Sequence, residues 1–480
     1  MELQNLNLIG GQWVGAESGQ ELAVRDPATD ELVARVPNGG TTEARQAVDA
    51  ASAALPAWSA LTALERGSML RRLSDLMLAR KEELATLMTR EQGKPIVEAR
   101  GEIAYAASFI DWAAEEGKRL YGELVPASSA KKRILVLRQP IGVCAAITPW
   151  NFPQAMITRK LGPALAAGNT IVIKPAEQTP LSALALGALA VEAGVPPGVI
   201  SVVTGDPVAI SDQWLSDPRV RKLSFTGSTE VGRILMSKAT RNLTRLSLEL
   251  GGHAPFLVFQ DADLDAAVEG AVLSKLRNAG QTCVSANRFF VEASVHDEFV
   301  ARLSRAFERL PVGRGLSESV RIGPLVDDAA IAKVEAHVEE AVGAGAKVAS
   351  GGRRVRPAEG LTQRFYQPTV LTGVTPGMKV STEETFGPVA PVTKFTTEDE
   401  AISLANDSPF GLAAYLFTRD VSRLFRVAER LDYGIVGAND GAPSTAQAPF
   451  GGVKHSGFGR EGGHWVMEEY VNVKYVSIGL

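Results

Sequence analysis

Cysteine is nearly absent: the chain holds two in 480 residues, Cys144 and Cys283. Two thiols build no disulfide framework, which suits a reducing, cytoplasmic setting. Histidine is also scarce, and His253, His296, His337, His455 and His464 stand far apart or lack a ligand partner at helical spacing. No metal site is expected from such a set. No apolar run reaches the roughly 18 residues of a membrane span, and the opening MELQNLNLIGGQW carries an acid and no basic leader region. A membrane partner is therefore not expected. The formal charge of −4 gives no general attraction to a phosphate backbone. Nucleic acid is not expected either.

What is present reads as a folded, multidomain chain. Hydrophobic residues make up 45% and charged residues 22%, with Gly and Pro spread along the whole length. A chain of 480 residues is too long for one core and fits about three domains. Between Ile141 and Leu250, short apolar runs (GVCAAI at 142–147, TIVIK at 170–174, VISVV at 199–203, KLSF at 222–225) alternate with helical segments. That alternation predicts a parallel sheet with crossover helices. One of those helices is well punctuated, with Thr179 as N-cap, Pro180 in the first turn and Gly194 at the end.

Around this block, residues 41–118 read as amphipathic helices, KRILVLRQP at 132–140 as a strand leaving the main body, and 262–435 as a second α/β unit. The tail from Tyr470, YVNVKYVSI, is β-like with nothing local to pair with. It is either an edge strand of its own domain or a strand paired across a subunit interface. Residues 457–462, GFGREG, match G-x-G-x-x-G, yet no apolar strand enters them and no crossover unit follows. They read as a flexible loop.

Three short stretches carry chemistry. Cys283 lies in GQTC, flanked by Arg277 and Arg288, whose charge would favour a thiolate. Taken alone, it reads as an inert buried cysteine, as does Cys144 inside an apolar strand. Glu249 ends an apolar strand in LELGGHAP, where it is either a general base or an acid satisfied by backbone N–H groups of the turn. Asn151 in TPWNFP follows the first strand of the sheet, where ligands sit in open α/β folds. Its amide can donate to an oxyanion, although by itself such an Asn is more often a turn former. FTGSTEVG at 225–232 follows a strand and opens a helix, so Gly227 and Ser228 can bring donors to a pyrophosphate, or simply cap the helix.

In order along the chain stand TPWNFP, KPAEQTP, FTGSTEVG, LELGGHAP, GQTC, EETFGPV, NDSPFGLAA and PFGGVKHSGFGREG. Together they resemble the aldehyde dehydrogenase superfamily over essentially the whole chain. The resemblance implies an α/β fold: a Rossmann-like NAD-binding domain (1–120 with 140–250), a second α/β catalytic domain (251–435), a small β oligomerisation segment (121–139 with 463–480) and a loop returning to the active site (436–462). It implies Cys283 as nucleophile, an oxyanion held by Asn151 and the Cys283 N–H, and Glu249 as the base that activates water. It also implies NAD contacts from Trp150, Lys174, Glu177, Gly227, Ser228, Gly232, Leu250, Glu384 and Phe386. Glu177 accepts ribose hydroxyls and repels a 2′-phosphate, which favours NAD, while Lys174 can offset that repulsion and leaves NADP open. A homodimer or homotetramer is expected.

The segments MITRKLGPALAAGNT, RNAGQTC and the C-terminal stretch look most like the succinate-semialdehyde dehydrogenase branch, in which Arg159, Arg277 and Ser444 would grip the substrate's distal carboxylate. Glutarate semialdehyde and 2-oxoglutarate semialdehyde carry the same group and are rivals. Without the resemblance, Arg159 reads as a solvated helix residue and Arg277 as half of an ion pair. One departure is Ser285, where many members of the branch carry a second cysteine. A disulfide switch between those two positions is excluded. A non-catalytic binding or structural member of the fold would be expected to lack Cys283, Glu249 or Asn151; all three are here. A CoA-acylating member would lack the base, and a cysteine hydrolase would need a Cys–His pair. The one histidine near a motif, His253, is expected to be a turn residue behind Glu249.

Overall fold

The computed structural model describes residues 4–480. The N-terminal amphipathic pattern resolves into four helices, Thr41–Ala60, Ala63–Ala79, Lys81–Gln92 and Ile96–Glu116. Local chemistry punctuates them. Thr62 accepts from the Glu65 N–H while the Glu65 carboxylate returns to the Thr62 N–H, a reciprocal box that starts the second helix. Gly93 ends the third at a left-handed φ of 92°, and Pro95 opens the fourth.

Five parallel strands form the centre of an eight-stranded sheet, in the order Ile200–Val202, Thr170–Lys174, Val143–Ile147, Val220–Thr226, Arg245–Glu249. The chain reverses its direction of travel across the sheet between Val143–Ile147 and Val220–Thr226. Ligands bind at such a switch point, beyond the carboxyl ends of the strands. The carboxyl ends here lead into Thr148–Asn151, Lys174, Gly227–Ser228 and Glu249. The helix Pro180–Glu192 starts where expected, with Pro180 in its first turn and Gly194 left-handed after its end, although the Thr179 side chain makes no capping bond.

A seven-stranded sheet follows in the order Lys347–Ser350, Thr369–Thr372, Val389–Phe395, Ala286–Glu292, Ala254–Val258, Ala413–Phe417, Ile435–Ala438, all parallel except the first pair. The turns that precede its strands, 251–253, 281–285 and 384–388, contribute to the cleft from the amino ends. Only four residues separate Glu249 from the strand Ala254–Val258, so one tight turn crosses from sheet to sheet.

The tail pairs within the chain, though with nothing near it in sequence: Val471–Gly479 lies antiparallel to Lys132–Pro140 along its full length, and Glu123–Val125 completes a three-stranded sheet. One local expectation is corrected. GFGREG is no flexible loop. Gly457–Phe458 adds an edge strand against Leu248 and Glu249, and Glu461 bridges to Phe450. The short strand escaped notice because two residues carry no periodicity. Among the described residues no single helix is long and apolar enough to cross a membrane, and no cluster of potential metal ligands occurs.

Candidate active site

Glu249 is the most unusual side chain of the cleft. It is 2% exposed, and neither carboxylate oxygen has a hydrogen-bond partner. The alternative of an acid satisfied by turn N–H groups is thereby excluded. Burial pushes its pKa well up, and the nearby charge of Glu461 adds to that, against the pull of Lys160, Arg159 and Arg460. The carboxylate is packed against the bare backbone of Gly451, where a Cβ would fall 2.9 Å from Oε1.

Cys283 is brought close to it by the turn 250–253. A Cβ on Gly252 would lie 2.3 Å from the Cys283 carbonyl oxygen, so only glycine permits this approach. Burial pushes the Cys283 thiol up to about 12, with Glu384 adding to the rise and Arg159 supplying the largest cationic offset. The flanking arginines do not make a thiolate, contrary to the expectation from their position. Arg288 turns away: it donates to the carbonyls of His253, Leu404, Ala405 and Asp407 and to the Tyr433 hydroxyl. Cys144 is fully buried and pushed up to about 12 as well, an inert thiol in a strand. His253 is buried against Phe410, and no histidine bonds Cys283 among the described residues. A cysteine hydrolase is not built here.

Asn151 is buried, and its Nδ2 donates to the Gln281 carbonyl at 3.0 Å, two residues before the cysteine. Ser285 is also buried and donates to the Lys275 carbonyl. Arg159, Arg277, Ser444 and Cys283 line one narrow pocket together with Tyr105, Phe152 and Phe450. The two arginines differ. Arg159 lies between the rings of Phe450 (4.2 Å), Phe109 (4.8 Å) and Tyr105 (5.2 Å), donates to the Tyr105 hydroxyl and sits 3.5 Å from Glu461. Arg277 rests on Phe152 at 4.6 Å and makes no hydrogen bond or ion pair among the described residues. The ion pair that local sequence suggested for Arg277 does not form.

The residues expected at a nucleotide also converge. Ser228 caps the helix Thr229–Ala239 by accepting from the Val231 N–H, which leaves earlier N–H groups at a helix start for an anion. Gly227 donates to the Glu249 carbonyl. Gly232 has no room for a Cβ, which would meet Leu250 at 2.5 Å, so this helix lies tight on the turn that carries the base. Lys174 is buried and paired with the half-exposed Glu177. Glu384 accepts from the Gly252 N–H at 3.1 Å, and burial pushes it up to about 7. Phe386 holds a left-handed φ of 55°, and its ring meets Trp150 edge-on at 5.6 Å. A helix start at the switch point with the partly buried acids Glu177 and Glu384 fits a dinucleotide.

Sequence reasoning missed Lys160 and Glu461. Lys160 is fully buried and bridges Thr226 and Glu461 beneath Glu249. A signal existed: its helix, Ala155–Ala166, is buried throughout and apolar apart from Thr158, Arg159 and Lys160, and a charge in such a helix needs a partner. Glu461 sat in the stretch dismissed as a loop.

A helix start at the switch point, a half-buried thiol and an unsatisfied carboxylate beside it suit an oxidoreductase that works through a covalent cysteine adduct. Comparison with known proteins names the family. Residues 13–476 match the aldehyde dehydrogenase family, and the chain belongs to it. Its activity is NAD(P)-dependent oxidation of an aldehyde. It is 56% identical over 473 residues (98% of this chain, 97% of the relative) to a succinate-semialdehyde dehydrogenase [NADP(+)] of Escherichia coli. It is also 56% identical over 471 residues (98% and 97%) to a glutarate-semialdehyde dehydrogenase of Pseudomonas aeruginosa. The crystal structure of succinate-semialdehyde dehydrogenase from Burkholderia pseudomallei superposes with a TM-score of 0.98 at 55% identity, covering 100% of this chain and 98% of that one.

Proposed function

We propose that the enzyme oxidises a semialdehyde bearing a distal carboxylate, with succinate semialdehyde as the foremost substrate and glutarate semialdehyde as the rival. One observation carries this reading: the unpaired Arg277 guanidinium in the pocket that contains Cys283. A half-buried cation with no acid in ion-pair contact, Glu98 acting on it only at a distance, can take an anionic ligand, and a guanidinium meets a carboxylate with paired, charge-assisted bonds. Arg159 and Ser444 would complete the grip. Two relatives of equal identity act, by their names, on different members of this substrate class.

The chemistry follows from the chain's own groups. Cys283 Sγ attacks the aldehyde carbon, its proton passing to Glu249, and the resulting oxyanion accepts from Asn151 Nδ2 and the Cys283 N–H. Bound NAD supplies the hydride acceptor. Glu249 gives that proton up to solvent, then takes one from the water that cleaves the thioester and passes it to the departing Cys283 sulfur, so that the acid is released and the thiol restored. Glu177 favours NAD over NADP, because its carboxylate repels a 2′-phosphate. The three-stranded sheet would carry assembly into a homodimer or homotetramer.

Steady-state rates with NAD and with NADP against succinate, glutarate and 2-oxoglutarate semialdehydes and propanal test the reading. The three acids should exceed propanal in kcat/KM, and Arg277→Ala should erase that difference chiefly through KM. A propanal value equal to the acids would reject the carboxylate grip.

A further inference from the structure

The two donors assigned to the oxyanion come from different sheets, and a buried cluster belonging to neither ties them together. It is the turn EQGKP at 91–95, between the helices Lys81–Gln92 and Ile96–Glu116, with the first turns of the second helix. Lys94 is fully buried, paired with the equally buried Glu102, and donates to the Asn151 carbonyl at 2.7 Å. The other Glu102 oxygen accepts the N–H groups of Gln154 and Ala155, at 3.0 and 3.3 Å. The segment that follows Asn151 is thereby held at both ends.

The same cluster grips the nucleophile loop through Asn278. Glu98 accepts the Asn278 N–H at 2.7 Å, and Gln92 Nε2 donates to Asn278 Oδ1 at 3.0 Å. The Asn278 amide then donates to the Asn151 carbonyl at 3.0 Å, beside the Lys94 ammonium on the same oxygen. Asn278, Ala279 and Gly280 have φ of 52°, 55° and 78°, three successive left-handed residues immediately before Gln281-Thr282-Cys283. Two of them are not glycine, and such backbone persists only where its surroundings over-determine it. Asparagine is among the residues that tolerate the conformation best. Here it also has the three bonds just named to hold it.

We infer that Lys94 and Asn278 are positioning residues for the chemical step, because they fix the spacing between the Asn151 amide and the Cys283 N–H across the two sheets. Neither touches the reacting atoms. The inference rests on the reading of those two groups as the oxyanion donors. The Lys94 ammonium and the Asn278 side-chain amide meet on a single atom, the Asn151 carbonyl oxygen, so the loss of either bond loosens the Asn151 segment from the nucleophile loop.

The test uses the full-length enzyme, NAD and the aldehyde with the highest kcat/KM, reading the single-turnover rate of NADH formation, KM and the thermal midpoint. The variants are Asn278→Gly, Lys94→Met combined with Glu102→Gln so that no charge is left alone in the interior, Asn151→Ala, and each of the first two in the Asn151→Ala background. Asn278→Gly and the Lys94 pair should each slow the single turnover by about 10- to 100-fold with KM changed by less than about threefold, the pattern of displaced donors rather than lost binding. In the Asn151→Ala background they should cost little more, since the donor they position is already gone. Full additivity there, or an unchanged rate in a folded variant, overturns the inference. If Asn151→Ala itself leaves the rate unaltered, the oxyanion reading falls and takes this one with it. Should the Lys94 pair not fold, Asn278→Gly, which keeps the left-handed backbone and buries no charge, decides.

Discussion

Burial, and after it the nearby charge of Glu461, push the Glu249 carboxyl well above its usual range, toward its protonated form. As a base it works only after losing that proton, so thioester hydrolysis should climb as pH rises through its raised pKa. Glu461→Gln removes a negative neighbour, which makes the ionised form of Glu249 easier to reach. The acid limb of the hydrolysis rate should therefore move to lower pH, measured as steady-state rate against pH with the NADH burst recorded separately. A limb that stays in position would show that Glu461 does not act on the base. Ser285 belongs to the same scale. Its buried hydroxyl faces a carbonyl, so oxidation at Cys283 has no neighbouring thiol to trap it as a disulfide.

At the scale of elements, the turn Leu250–His253 is the joint between the sheets, and its tolerance for change is small. Gly252→Ala would drive a Cβ against the Cys283 carbonyl, which is backbone and cannot swing aside. The rate should fall by about 10²-fold in a protein that still folds, the usual effect of moving a reacting group by about 1 Å. A rate within error of the parent, with normal circular dichroism, would mean that the loop yields. This joint also shows what was legible in the sequence. Glu249 at the end of an apolar run before two glycines announced both a strand end and a placed carboxylate. The strand Lys132–Pro140 and the block of crossover strands were readable from apolar runs alone. What stayed hidden depends on contacts far apart in the chain. Lys160 with Glu461, and Lys94 with Asn151, look like surface charges until folding removes the water around them. Arg277 and Arg288 are equally near Cys283 in sequence, yet only the fold decides that one faces the pocket and the other is consumed by carbonyls.

For the whole molecule, the three-stranded sheet is the part without a partner of its own. Val473 and Tyr475 point to one face and are 64% and 61% exposed. If that sheet carries assembly as proposed, Val473→Glu with Tyr475→Lys should yield a smaller species in sedimentation velocity. An unchanged sedimentation coefficient would assign assembly to another surface. The tail strand has a further tie. The segment that leads into it contains Glu461, beneath the base, and Glu469, which accepts from Ser247. A subunit diluted away from its neighbours would lose the support of that strand first, and with it the charge that tunes Glu249. Dilution should then move the acid limb of thioester hydrolysis to lower pH, so that the pH profile of specific activity becomes a function of protein concentration.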